Sequence, residues 1–390
     1  MWNDAPADPA PIPYGRQWID EDDIAAVVAV LRSDWLTTGP VVKRFEAAFA
    51  ATTGARHAVA VSSGTAALHA VMAGLGLGPG DEVVVPPMTF AATANAACFV
   101  GARPVFADVD PDSLLLDPAA VEAVITPRTR ALVAVDYAGQ PCDYARLRAI
   151  CDRHGLALVA DACHSLGASY QGRPVGTLAD VSLFSLHPVK PVTAGEGGMI
   201  TTDDAALARC LRRFRHHGID RSHEARAAAG HWAYAMVELG YNYRLSELHA
   251  ALGLSQLGKL AAFQARRQAI ADRYAAALAD MPGVQPLHRH SDRTHAWHLF
   301  VVQVAGERDA WYQALQAQGI GVNVHYWPVH LHPYYREHFA TGPGDCPVAE
   351  AAAERILSLP LFPRMSDVEV ARVLRALAGL GGRSSCRAIS

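Results

Sequence analysis

The sequence contains no apolar run of the roughly 18 residues that a membrane-spanning helix requires, and none of its seven cysteines stands in CxxC spacing with another. The first absence excludes a helical membrane anchor. The second, with an odd and dispersed count, points to buried thiols in a reducing compartment rather than a disulfide framework. Charged residues make up only 18% and sum to a formal net charge of -4, without a long block of like charge. That argues against nucleic acid or an anionic membrane as the main partner. The opening stretch MWNDAPADPAPIPYG has neither the basic nor the apolar region of a secretory signal. A soluble cytoplasmic protein is expected. Walker and GxGxxG phosphate motifs are also missing.

What is present is apolar bulk: 51% hydrophobic residues over 390 positions, enough for a large domain and a smaller one. Residues 1–13 are proline-rich and read as an extended arm. Ile24, Val27, Val28 and Leu31 then fall at helical spacing behind Asp20 as N-cap, and a second helix starts near Pro40 with Phe45 and Phe49 on one face. From residue 57 short apolar runs alternate with helical stretches. The runs are HAVAVSS (57–63), EVVVPP (82–87), PVFADVD (104–110), ALVAVD (131–136), LALVAD (156–161) and VSLFSL (181–186); helices are expected over 65–75, 89–100 and 144–154. Strands apolar on both faces and separated by helices predict an α/β fold with a mostly parallel, doubly covered sheet. Beyond 255 the rhythm changes to a long helix from Gln256, strand-like HLFVVQV (298–304), a helix near 308–318, strand-like GVNVHYW (321–327) and helices near 347–357 and 366–379. This gives a large domain over 14–255, a small α+β domain over 256–383 and a disordered tail over 384–390.

Three segments carry chemistry. In SSGTAALHA (62–70) a strand ends and a helix opens, so the amides of Gly64 and Thr65 lie free at a positive helix end; an ordinary capped helix start reads the same way. In VADACHSLGASY (159–170) Asp161 closes an apolar strand and, if buried, needs a cationic partner; His164 follows three residues on. An Asp capping the next turn is the competing reading. In FSLHPVKPVTAGEGGM (184–199) Lys190 stands alone between Pro188 and Pro191, too isolated for a basic patch and poorly placed for a helix. A lysine in an apolar pocket loses proton affinity and becomes a nucleophile. A pyridoxal phosphate site requires an imine-forming lysine, a carboxylate for the pyridine nitrogen and a phosphate cradle. Lys190, Asp161 and the pair Gly64 and Thr65 supply one of each at loops of one predicted sheet. Phe90, after EVVVPP, can stack on the ring, although a phenylalanine taken singly is more often core. In GYNYRLSELHAALGLSQL (240–257), Asn242 and Arg244 read equally as turn and surface residues or as ligand contacts.

Taken together, FSLHPVKPVTAGEGGM, VADACHSLGA, SSGTAALH and GYNYRLSELHAALGLSQL resemble the sugar-nucleotide aminotransferases among the fold-type-I pyridoxal phosphate enzymes, from about Pro13 to about Leu380. The resemblance implies an aspartate aminotransferase-like large domain with a seven-stranded-type sheet. It implies Lys190 as the cofactor-binding lysine and proton carrier, Asp161 on the ring nitrogen, and His164 at the cofactor's phenolic oxygen, where many relatives have glutamine. It also implies Gly64, Thr65 and Ser185 on the phosphate. Asn242 would reach the cofactor phosphate of a neighbouring subunit, giving a homodimer with shared sites. A dehydratase branch has histidine in place of the lysine, so Lys190 favours amino transfer.

Within the family, PYGRQWIDEDDI, SDWLTTGP, YAGQPCDY, SLHPVK and GVNVHYWPVHLHPYY look closest to the branch that aminates C4 of a UDP-linked 4-keto-6-deoxy-N-acetylhexosamine in pseudaminic acid formation, with L-glutamate as donor. By that similarity Tyr14, Asp34, Trp35, Leu36, Thr37, Asn323, Val324, His325 and Tyr326, together with Arg244, would line the sugar-nucleotide site. A sister enzyme for another 4-keto or 3-keto nucleotide sugar is the alternative. A cofactor-bound regulator would carry a DNA-binding domain, for which the 13 residues before Tyr14 leave no room, and a dead scaffold would have lost Lys190 or Asp161. His325, His330, His332 and His338 crowd together without a carboxylate or cysteine to complete a site, so no metal is expected.

Overall fold

A computed structural model of the chain describes residues 10–220, 230 and 232–387. Two helices come first, α1 (Glu21–Leu31) and α2 (Pro40–Thr53). A reciprocal cap fixes the start of α1: the Asp20 carboxylate accepts from the amides of Asp22 and Asp23, and the Asp23 carboxylate accepts from the Asp20 amide. This satisfies donors that a first turn leaves free. Helix α2 opens on Pro40, whose missing N–H is no loss at that position, and buries Phe45 and Phe49 completely.

The main sheet is built from β1 (His57–Val61), β2 (Glu82–Val85), β3 (Arg103–Phe106), β4 (Thr129–Val135), β5 (Ala157–Asp161), β8 (Val181–Ser185) and β9 (Gly198–Thr202), while β6 (Ser169–Tyr170) and β7 (Arg173–Pro174) pair separately. Its order is β1-β9-β8-β5-β4-β2-β3. Every neighbouring pair is parallel except those of β9, which runs antiparallel to β1 and β8. Helices α3 (Gly64–Gly74), α4 (Ala92–Phe99), α5 (Pro118–Val124), α6 (Tyr144–His154) and α7 (Ala205–Phe214) connect and cover the strands. The architecture is the expected α/β one, with a parallel-dominated sheet flanked by helices. The six apolar runs became six strands because both faces of such a sheet are buried. The seventh strand, β9, went unmarked in the sequence. Its GMITT is buried throughout, and its threonine hydroxyls are satisfied by the carbonyls of Gly176 and Asp180.

Among the described residues that follow, the chain forms α8 (Glu247–Leu257), α9 (Leu260–Leu278), β10 (Val284–Pro286), β11 (Phe300–Val304), α10 (Arg308–Gln316), α11 (Pro333–Phe339), α12 (Pro347–Ala353), β12 (Ile356–Leu359) and α13 (Asp367–Arg387). The strands β10, β11 and β12 make a three-stranded antiparallel sheet. Several expectations are corrected here. The helix expected from Gln256 is two helices that break between Leu257 and Leu260. GVNVHYW is no strand: it contributes one isolated bridge, Asn323 to Ser358, and otherwise runs irregularly. The end of the helix expected near 347–357 is the wholly buried strand β12. Helix α13 takes in 384–387, assigned above to a disordered tail; residues 388–390, like 1–9 of the expected arm, lie outside the described residues. Ile12, at the end of that arm, is buried and bridged to Ile320. No helix among the described residues is long and apolar enough to cross a membrane.

The apolar core has two parts, one around the main sheet and one around α9, the three-stranded sheet and α13. Arg267 of α9 is buried, and its guanidinium donates to the carbonyls of Trp297 (3.0 Å), His298 (3.4 Å) and Leu361 (3.0 Å). Burial pulls its pKa down to about 10. Arg267→Met keeps the stem's volume but strands those carbonyls, and a loss of about 3 kcal/mol is expected in urea unfolding. A change below about 1 kcal/mol would mean that water replaces the guanidinium.

Candidate active site

The carboxyl ends of the parallel strands open onto one cavity of about 520 Å³, the side on which open α/β sheets hold their ligands. Strand β1 delivers Gly64 and Thr65, β2 delivers Phe90 and Thr93, β5 delivers Asp161 and His164, and β8 delivers Ser185 and Lys190. Tyr14, His298, Asn323, Val324, His325 and Tyr326 close it from the other part of the molecule.

Lys190 lies in a tight turn whose amide donates to the carbonyl of His187 at 2.9 Å. The flanking prolines keep this segment out of a helix. Burial lowers the proton affinity of its amine, because a dry site disfavours the charged form. Asp161 is almost fully buried; the Thr93 hydroxyl donates to its Oδ2 at 2.8 Å and the Cys163 amide to its Oδ1 at 3.3 Å. Both donors are neutral, and among the described residues no side chain forms an ion pair with Asp161. A carboxylate held this way calls for a cation from elsewhere.

The start of α3 leaves amides open to an anion. Ser63 caps α3 by accepting the Ala66 amide at 3.0 Å, and the amides of Gly64 and Thr65 in the first turn have no intrahelical acceptor. A Cβ at Gly64 would stand 3.0 Å from Ser185 Cβ, so a larger residue there would press on the serine that β8 brings alongside. His164 Nε2 lies 3.2 Å from the Tyr326 hydroxyl, and its Nδ1 is buried without a partner. Burial, then the neighbouring Lys190, holds its pKa well below the usual histidine value. His325 is fixed by Ser358, 2.8 Å from Nδ1, and by the Tyr137 hydroxyl donating to its carbonyl; burial brings its pKa down to about 4. Tyr14 lies 5.4 Å from the His325 ring, centroid to centroid.

Other expected residues are placed differently. Phe90 lines the cavity but is 62% exposed, at the rim rather than in the core. Within the single chain, Asp34, Trp35, Leu36, Thr37, Asn242 and Arg244 do not line the Lys190 cavity. The α1–α2 connection is tied to α8, with Thr37 bridged to Ser246 and the Glu247 carboxylate capping α2 through the amides of Gly39, Val41 and Val42. Trp35 and Arg244 face a second cavity of about 640 Å³ beside Arg209, Arg212 and Arg215, and Asn242 is bridged to His216. Sequence reasoning missed Thr93 and His298. Nothing marked Thr93 within its helix, and His298 opened a strand-like run in which a core histidine is the ordinary outcome. Among the described residues no group of three His, Cys, Asp or Glu side chains could hold a metal.

A lysine of reduced proton affinity, a buried carboxylate without an ion pair among the described residues and a helix start with open amides all line this cavity. One ligand answers all three: the aldehyde, pyridinium nitrogen and phosphate of pyridoxal phosphate. When bound, that group supplies an electron sink for chemistry at the carbon bearing the amine. Fold and site thus define a fold-type-I pyridoxal phosphate enzyme. The chain belongs to the DegT/DnrJ/EryC1/StrS aminotransferase family, whose model matches residues 17–378. It is therefore a sugar transaminase of a family that uses pyridoxal phosphate. It is 43% identical over 373 residues to the spore coat polysaccharide biosynthesis protein SpsC of Bacillus subtilis (strain 168), covering 94% of this chain and 96% of that protein. Among solved structures it is similar to the pyridoxal phosphate form of the putative sugar aminotransferase Spr1654 from Streptococcus pneumoniae (TM-score 0.90, 32% identity, 96% of this chain and 99% of that one). Helicobacter pylori PseC, an aminotransferase involved in the biosynthesis of pseudoaminic acid, gives a TM-score of 0.90 at 30% identity, covering 96% and 100%.

Proposed function

We propose that this protein moves the amino group of L-glutamate to C4 of a UDP-linked 4-keto-6-deoxy-N-acetylhexosamine, forming UDP-4-amino-4,6-dideoxy-N-acetyl-β-L-altrosamine on the route to pseudaminic acid. The observation that carries amino transfer is Lys190 itself, an amine of lowered proton affinity in the cavity that Asp161 also lines. Asp161 would keep the ring nitrogen of the cofactor protonated, Gly64, Thr65 and Ser185 would hold its phosphate, and Lys190 would carry the proton. His164, kept neutral by its burial, meets the phenolic oxygen. Tyr14, His325 and Tyr326 face the sugar. The choice of sugar rests on the likeness to PseC over nearly the whole chain and on Asn323, Val324, His325 and Tyr326 of GVNVHYW, which line the cavity in a segment that forms no strand.

The working unit is a homodimer with shared sites. That arrangement gives Asn242, Arg244 and Trp35, which stand apart from Lys190 in their own chain, a cofactor and nucleotide to meet in the other. It also covers Trp232 and Leu239, which are 89% and 73% exposed in the single chain. A second reading, another keto nucleotide sugar as acceptor, is favoured by the 43% identity to a spore coat polysaccharide protein.

The test is incubation with L-glutamate and a panel of UDP- and dTDP-linked 3-keto and 4-keto sugars, with product structures determined by NMR. The expected product is the 4-amino-4,6-dideoxy-N-acetyl-altrosamine nucleotide. Turnover of only dTDP-linked or D-configured sugars would overturn the proposed acceptor and leave the second reading standing.

A further inference from the structure

We propose that His298 is the positioning residue for Lys190: its Nε2 accepts a hydrogen bond from the lysine amine whenever that amine is free, and so aims it across the cavity. Nε2 lies 3.5 Å from Lys190 Nζ, and the imidazole centroid lies 4.3 Å from that of His164. The ring is 5% exposed, lines the cavity, and leaves its Nδ1 buried without a partner. An orphaned buried polar atom costs about 1–3 kcal/mol, so packing alone does not account for a histidine here.

The backbone around His298 is held from several sides. Buried Arg267 donates to the carbonyls of Trp297 and His298. The amides of Ala296 and Leu299 donate to the carbonyls of Gly139 (2.9 Å) and Ala138 (3.0 Å). Gly139 has φ +109, and a Cβ there would meet His164 O at 2.8 Å and His298 N at 3.1 Å. Only glycine lets this turn fit between the two histidine-bearing segments. Trp297 adopts a left-handed φ of 50, a strain that a non-glycine residue retains only where its surroundings dictate it. A buried arginine, a glycine-only contact and a strained tryptophan thus converge on one imidazole beside the lysine. Burial and the adjacent Lys190 hold the His298 pKa well below its usual value, which leaves a lone pair for the amine. A free lysine has four rotatable bonds, and fixing it near its target removes entropy that would otherwise fall on the reaction barrier.

The inference rests on Lys190 acting as a free amine during amino transfer, and the experiment separates the two. Three variants are compared with the wild-type holoenzyme: His298→Gln, whose amide reaches the position of Nε2; His298→Asn, whose amide reaches only that of Nδ1; and His298→Leu. Rapid mixing with saturating L-glutamate follows the loss of visible absorbance, and a second measurement follows uptake of pyridoxal phosphate by the cofactor-free proteins. Asn and Leu are expected to slow both processes about a hundredfold, with half-saturation by glutamate changed less than about threefold, while Gln stays within about tenfold of wild type. Equal losses in Gln and Asn, wild-type rates in Leu, or a loss confined to half-saturation would overturn the proposal. Should Leu not fold, the contrast of Gln with Asn decides. If wild type takes up the cofactor without colour, or keeps its colour with glutamate, the proposed function fails on its own account.

Discussion

Lys190→Ala is expected to lower kcat at least about ten-thousandfold, since on the proposed reading it removes both the covalent attachment of the cofactor and the proton carrier. No neighbour can take over. Burial holds His164 and His298 in the neutral state, and neither carries an amine. Borohydride treatment of the wild-type holoenzyme should fix the cofactor's mass on the peptide that contains Lys190, and the variant should show no such adduct. Stability should move the other way. In the cofactor-free chain the folded-state pKa of Lys190 is lowered, chiefly by burial. The unfolded chain therefore binds more protons between that value and the ordinary lysine value, and wild-type stability rises with pH across this window. The alanine variant lacks that slope, and at neutral pH its unfolding midpoint should be no lower than that of cofactor-free wild type. Residual turnover above about one part in a thousand, free of wild-type contamination, would place the proton transfer on another group.

Much of this site could be read before any coordinates, and the reasons lie in particular residues. The strands that carry it are apolar on both faces, so β1, β2, β4, β5 and β8 announced themselves, and a polar residue closing such a run stood out. Asp161 after LALVA and Lys190 between two prolines are misfits in their segments, and misfits are legible. The antiparallel strand β9 was not, because its threonines find acceptors that only the folded sheet provides. GVNVHYW alternates like a strand, yet it meets the edge strand β12 through one isolated bridge, Asn323 to Ser358, and β12 itself was hidden behind a helical pattern. His298 looked like core, and the turn at Gly139 that gives it a purpose lies 159 positions earlier in the chain. Asn242, Arg244 and Trp35 were named from resemblance; within one chain Arg244 and Trp35 line the arginine-rich cavity and Asn242 is bridged to His216, and none of the three lines the Lys190 cavity.

Asp161→Asn should have opposite effects on the empty and the loaded protein. Without cofactor, Asp161 is a buried carboxylate served by the Thr93 hydroxyl and the Cys163 amide, no side chain among the described residues forms an ion pair with it, and burial lowers the proton affinity of the nearby Lys190. Asparagine keeps the shape and sheds the charge, so the cofactor-free variant should unfold at a higher temperature than cofactor-free wild type. With cofactor, the carboxylate would on the proposed reading be the group that holds a proton on the ring nitrogen. Breaking a buried charged pair of this kind costs about 3–5 kcal/mol, or roughly 10² to 10⁴ in rate or affinity. The variant should thus lose kcat by that factor, and the stabilisation that pyridoxal phosphate confers on wild type should shrink. A cofactor analogue with carbon in place of the ring nitrogen separates charge from packing. It has no proton for Asp161 to hold, so wild type and variant should bind it with nearly equal affinity. A variant as weak towards the analogue as towards pyridoxal phosphate would show that position 161 acts through the shape of the pocket and not through its charge.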